Sequence, residues 1–80
     1  MNKRYIKDNI YAIQWNGKNE KEIAKIIDVH LGYDGLYILN SREEFLIQEG
    51  DWIIIDKNNN PYPCYEELFN QLFGDKNGSI

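Results

Sequence analysis

The apolar positions change period along the chain. From Ile10 to Trp15, Tyr11, Ile13 and Trp15 alternate with Ala12 and Gln14, the two-residue repeat of a half-buried strand. Asn16-Gly17 closes that strand as a turn. Ile23, Ile26, Ile27 and Leu31, joined by Ala24 and His30, then follow a helical spacing, which predicts a helix from Asn19 to Leu31 with Gly32 as its stop. Asn19 stands three residues before Glu22, the spacing of a capping box. After a turn at Tyr33-Asp34-Gly35, Leu36–Leu39 and Phe45–Ile47 read as two strands, and the short link between them predicts an antiparallel hairpin.

Trp52–Ile55 is aromatic and β-branched without a break, as in a strand covered on both faces. Gly50-Asp51 marks the turn into it. Asn58-Asn59-Asn60 can supply left-handed conformations, so this strand is predicted to pair back with Pro61–Cys64. Two prolines in the returning strand place it at a sheet edge. Leu68, Phe69, Leu72 and Phe73, with Tyr65 a turn earlier, form the stripe of a final helix that stops at Gly74, with Glu66 and Glu67 in its first turn. The prediction is an α+β fold in the order β-α-β-β-β-β-α, a small antiparallel sheet with two helices on one face. Residues 10–74 form a single domain, between a loosely held segment 1–9 and a frayed end 75–80.

Charge is distributed unevenly. The chain of 80 residues carries nine Lys and Arg against 13 Asp and Glu, a net charge of −4. Residues 1–30 hold six of the bases and four of the acids, while residues 31–80 hold three bases and nine acids. Beyond Lys3, Arg4 and Lys7 there is no basic stripe to displace counterions from phosphates, which argues against direct binding of DNA or RNA. An acidic surface serves solubility in its plainest role, and otherwise suits a basic protein partner. A core this small also leaves room for a homodimer. The single cysteine excludes an internal disulfide and suits a reducing cytosol. No apolar run approaches the roughly 20 residues that cross a bilayer, so a cytoplasmic location and no membrane contact are expected.

Motifs for chemistry are sparse. Cys64 and His30 could pair as nucleophile and base, but no glycine-rich elbow supports this and His30 falls on the apolar stripe of the predicted helix, the place of a core histidine. One Cys and one His fall short of a structural zinc site. The carboxylates Glu43, Glu44, Glu49, Asp51 and Asp56 match no calcium loop or metal triad and read as a solvated acidic edge. Phosphate-cradling glycine motifs are missing from the sequence. No catalysis and no cofactor are therefore expected. Tyr11, Trp15, Tyr37, Trp52, Tyr62 and Tyr65 are more aromatics than a small core can bury with every OH and N–H satisfied, so some are expected at the surface.

Tyr11-Ala12-Ile13-Gln14-Trp15, Gly50-Asp51-Trp52-Ile53-Ile54, Tyr62-Pro63-Cys64 and Phe69 together resemble a family of small phage and prophage proteins. That family pattern has an A-x-Q-W opening, a P-G-D-W-I-I strand, a G-E-F-Y-P-C return and a terminal helix with Phe and Tyr, and it spans most of residues 11–73. The chain departs from it at Glu49, where the pattern has proline, at Asn59 or Asn60, where it has the turn glycine, and at Glu66, where proline opens the last helix. The resemblance implies a phage origin. Small acidic phage proteins often act by occupying a host protein, CRISPR nucleases among them. The first functional expectation is thus a stoichiometric inhibitor of a host defence protein with a basic surface, acting through Glu43, Glu44, Glu49, Asp51, Asp56, Tyr37 and Tyr62. Two alternatives stand beside it: a sponge for a signalling cyclic nucleotide, and a structural or morphogenesis accessory of the phage.

Overall fold

The computed structural model describes residues 3–7 and 9–73. The expected stop at Gly74 and the expected fraying of 75–80 lie outside the described residues. The chain runs β1 (Lys3–Lys7), β2 (Ile10–Gln14), α1 (Glu20–Ile23), β3 (Val29–Gly32), β4 (Gly35–Leu39), β5 (Glu44–Ile47), β6 (Trp52–Ile55), β7 (Pro61–Cys64) and α2 (Glu66–Phe73). This is an α+β fold with antiparallel pairing throughout, and it differs from the expected order by two additional strands, β1 and β3. The strands form two sheets, ordered β1-β2-β6-β7 and β3-β4-β5.

Residues 3–7, expected to be loosely held, pair with β2 through a register shift between Tyr5 and Lys7. The predicted helix from Asn19 to Leu31 is also corrected. It ends at Ile23, and Val29–Gly32 instead pairs with β4. The register joins Gly32 to Gly35 across the two-residue loop Tyr33-Asp34, a tight hairpin that only a strand on each side can use. The β-branched run Ile26-Ile27 and Val29 also favours leaving the helix.

Asn19 does not complete a capping box, because its side chain makes no cap hydrogen bond. It is 6% exposed. Its Nδ2 donates to the Gln14 carbonyl at 2.9 Å and its Oδ1 accepts from the Asn16 N–H at 3.0 Å, which fastens the end of β2 to the start of α1.

β6 lies inside the four-stranded sheet, as its apolar run predicts. Ile53 and Ile55 join Ile13, Ile23, Leu36, Ile38 and Ile47 in a core between the two sheets. On the opposite face of the same sheet, Trp52 joins Ala12, Cys64 and Phe69, with Ile54 packed against them. Ile23 of α1 and Phe69 of α2 thus belong to different cores, and the two helices cover opposite faces where one face was expected. The Trp52 and Phe69 rings stack with centroids 4.0 Å apart.

β7 is an edge strand, as its prolines predict, and they cost the sheet nothing. The Asp56 N–H donates to the Asn60 carbonyl at 3.1 Å, so pairing alternates from there and the backbone groups of Tyr62 and Cys64 point toward β6. Pro61 and Pro63 fall on the positions that point away, where no ladder donor is needed. Asn59 turns the hairpin at φ 63°, the left-handed conformation expected of the asparagine run. The Asp56 Oδ1 accepts from the Asn58 and Asn60 N–H groups, each at 2.9 Å.

Candidate functional site

The seven residues expected to form one acidic and aromatic surface divide into separate groups. Tyr37 and Glu44 lie on the outer face of the three-stranded sheet, away from Leu36 and Ile38 in the core. Tyr37 donates its OH to the Asp34 Oδ2 at 2.8 Å. That hydrogen bond raises the Tyr37 pKa, and burial and the charges of Asp34 and Glu44 add to the rise. Glu43 is exposed in the β4–β5 turn, where its N–H donates to the Asn40 Oδ1 at 3.1 Å. Asn40 also reaches the Pro61 carbonyl at 3.2 Å, so this turn sits against the start of β7, close to the Asp56 turn. Glu49 and Asp51 follow the other end of β5, about 13 Å away by strand rise. Tyr62 is exposed on β7.

His30 is corrected most sharply. It is exposed on β3, where the sequence placed it on the buried stripe of a helix. Its ring stacks on Tyr37 with centroids 4.9 Å apart, and its Nδ1 lies 3.6 Å from the Glu44 carboxylate. Cys64 is buried on the other sheet among Ala12, Trp52 and Phe69. Burial, and then the charge of Asp51, hold its thiol above the ordinary range, the reverse of what an activated nucleophile needs. Among the described residues no group of three or more His, Cys, Asp or Glu side chains is arranged to hold a metal ion.

Concave surface lies elsewhere. A recess of about 300 Å³ opens between β5, β7 and the start of α2. Its apolar walls come from Phe45, Leu46, Pro63, Cys64 and Leu68. Leu46 and Leu68 are 42% and 44% exposed, and Tyr65 at its rim is 72% exposed. Asp51 and Tyr65 are shared with a second, more open recess completed by Glu66, Glu67 and Asn70, so an apolar slot runs into an acidic one. Among the described residues no Lys or Arg lines either. Gly50, at φ 100°, lets the chain pass beneath this rim: a Cβ there would stand 2.8 Å from the Glu66 Oε1. Asp51 is fixed by accepting the Gln48 N–H on its Oδ2 at 3.0 Å.

Of the expected residues only Asp51 lines this slot. Leu46, Tyr65, Leu68, Glu66 and Glu67 were absent from the expected surface. Leu68 followed the core stripe of the last helix, and Glu66 and Glu67 served its dipole. The legible signal was the pair of acids directly after an aromatic, at the point where the proline-blunted strand ends.

A third cleft, about 550 Å³, lies between the segment after α1 and the two hairpin turns at Asn40 and Asn59. Among the described residues Lys25 is its one basic residue, and no aromatic lines it. No described helix is long and apolar enough to cross a membrane. Comparison with protein-family models, with curated proteins and with solved structures found no match to this chain.

Proposed function

We propose that this protein is a non-catalytic binding protein that occupies a basic surface of another protein, and that, as its motifs resemble those of phage proteins, its target is a host defence protein in the host cytosol. The carrying observation is the apolar slot between β5, β7 and α2 that runs into Asp51, Glu66 and Glu67, with no Lys or Arg along its walls among the described residues. An uncompensated acidic rim repels nucleic acid and attracts the basic channels that bind it, steering association as well as fixing register. Exposed Tyr65 and Leu68 supply the apolar anchors that give such a contact its strength. The sponge reading has less to stand on, because the third cleft offers one lysine and no ring for a base to stack on.

The test is inhibition at equal stoichiometry. Purified protein is mixed with CRISPR effector nucleases and resolved by size exclusion, and phage plating is scored in hosts carrying the same effectors with and without the gene. Co-elution with one effector, loss of its nucleic-acid binding and rescued plating are expected. A panel showing neither co-elution nor rescue sinks the inhibitor reading.

A further inference from the structure

The turn that closes β2 brings an amide side chain and an unshielded backbone nitrogen together. Asn16, Gly17 and Lys18 are all exposed. The Asn16 Oδ1 accepts the Lys18 N–H at 2.8 Å, an Asx turn that holds the side-chain carbonyl back toward the Gly17 peptide bond and polarises its carbon. Among the described residues neither the Asn16 Nδ2 nor the Gly17 N–H has a hydrogen-bond partner. Gly17 stands at φ 86°, with no Cβ to crowd its nitrogen. Union of that nitrogen with the Asn16 Cγ closes the ring of a succinimide.

No other described asparagine combines these features. Asn40 gives its Nδ2 to the Pro61 carbonyl at 3.2 Å, and its Oδ1 accepts the Arg42 and Glu43 N–H groups. Asn60 precedes Pro61, whose nitrogen has no proton to lose. The remaining described asparagines are each followed by a residue whose side chain crowds the attacking nitrogen.

We propose that Asn16 is a self-modification site, converted through a succinimide with Gly17 into isoaspartate and aspartate while the protein stays folded. The Gly17 nitrogen gives its proton to solvent base and bonds to the Asn16 Cγ, and the side-chain nitrogen leaves as ammonia. Water then opens the ring. Cleavage of the new bond yields aspartate, and cleavage of the original peptide bond yields isoaspartate, in which the main chain runs through Cγ. Holding the two reacting atoms in one turn is what makes the step unimolecular.

The fold tolerates the change because the bonds that fasten this turn lie before the altered linkage. The Trp15 N–H donates to the Asp51 carbonyl at 2.9 Å, the Trp15 carbonyl accepts the Gly50 N–H at 2.8 Å, and the Asn16 N–H donates to the Asn19 Oδ1 at 3.0 Å. The product adds a carboxylate, taking the net charge from −4 to −4 − 1 = −5. That charge falls beside Glu49, whose carboxylate stands 3.1 Å from where a Cβ on Gly17 would lie. Conversion thus deepens the acidity at the Glu49–Asp51 turn.

The experiment incubates the full chain in mildly alkaline buffer at physiological temperature and maps its peptides by liquid chromatography and mass spectrometry. Asn77-Gly78, the other Asn-Gly pair of the sequence, lies outside the described residues and serves as the reference in the same sample. The Asn16 peptide is expected to give two products, each with the mass gain of NH2 replaced by OH, isoaspartate exceeding aspartate. Its rate is expected within about tenfold of that at Asn77, a barrier difference of at most about 1.4 kcal/mol. Anion exchange should resolve the converted protein as a more acidic form with unchanged far-ultraviolet dichroism. Asn16→Ser keeps an oxygen for the Lys18 N–H and has no amide to lose, so it should convert at Asn77 alone. An Asn16 peptide that stays intact, conversion only in urea, aspartate without isoaspartate, or a converted form that has unfolded overturns the proposal.

Discussion

Trp52 combines the largest ring in the second core with a polar atom that the core does not serve. Its Nε1 is buried with no hydrogen-bond partner among the described residues, while its ring stacks on Phe69. An orphaned buried donor costs about 1–3 kcal/mol. Removing it therefore offsets part of the lost ring area, and Trp52→Phe is expected to cost less than half of the roughly 3–5 kcal/mol of Trp52→Ala in chemical denaturation. Equal losses in the two variants would show that the N–H is satisfied in solution. Cys64, in the same core, allows a pH test. Its raised pKa means that the folded state favours the thiol. The stability so gained is complete below the ordinary cysteine value and is lost as pH rises from there toward the folded value. Thiol labelling of the folded protein should thus titrate above the ordinary range. Asp51→Asn should lower that midpoint only in part, because burial is the larger cause. The burial of Trp52 and Cys64 was legible from an unbroken apolar strand and its return. The role of Asn19 was not: its spacing to Glu22 fits a capping box, and only the closeness of the Gln14 carbonyl diverts its amide.

The prolines of β7 decide how the edge of the four-stranded sheet behaves. Pro61 and Pro63 occupy outward positions, so replacing Pro63 leaves the pairing with β6 intact while adding an N–H to an exposed edge. Pro63→Thr is expected to keep the fold and to raise concentration-dependent association, measured by light scattering. Ile54→Pro, which removes an inward N–H from a strand paired on both sides, is expected to unfold the domain. A Pro63→Thr protein as monodisperse as the parent would show that the edge is guarded by other means. The prolines identified the edge from sequence, because their chemistry acts locally. Val29–Gly32 was misread for the opposite reason. Ile23, Ile26, Ile27 and Leu31 fit a helical period, yet the helix keeps only Ile23, and Leu31 ends half-exposed on a strand. A turn of helix followed by a strand produces the same short apolar list as one longer helix. The deciding contacts, Val29 with Ile38 and Leu31 with Leu36, come from across the hairpin.

The acidic half of the sequence does not fold into one acidic edge across the whole molecule. Glu43 and Asp56 gather by the hairpin turns, Glu44 lies beside His30, and Asp51, Glu66 and Glu67 group at the far end of β5 with no basic partner among the described residues. Sequence counts alone could give the excess of charge but not this division, since only pairing of strands distant in sequence sets it. The central position of β6 has a further consequence, for how the molecule comes apart. Its even and odd residues feed different cores, Trp52 and Ile54 one, Ile53 and Ile55 the other. Neither layer can melt while that strand remains in place, so the two share one cooperative unit. Ile38→Ala and Phe69→Ala, one in each core, are expected to lower a single denaturation midpoint, with tryptophan fluorescence and far-ultraviolet dichroism coincident in both. Native-state deuterium exchange should find the slowest amides along Ile53–Ile55, opening only with global unfolding. A protein with cores on two sides of one strand has no stable half, and so a cut or a misfold in either layer exposes both.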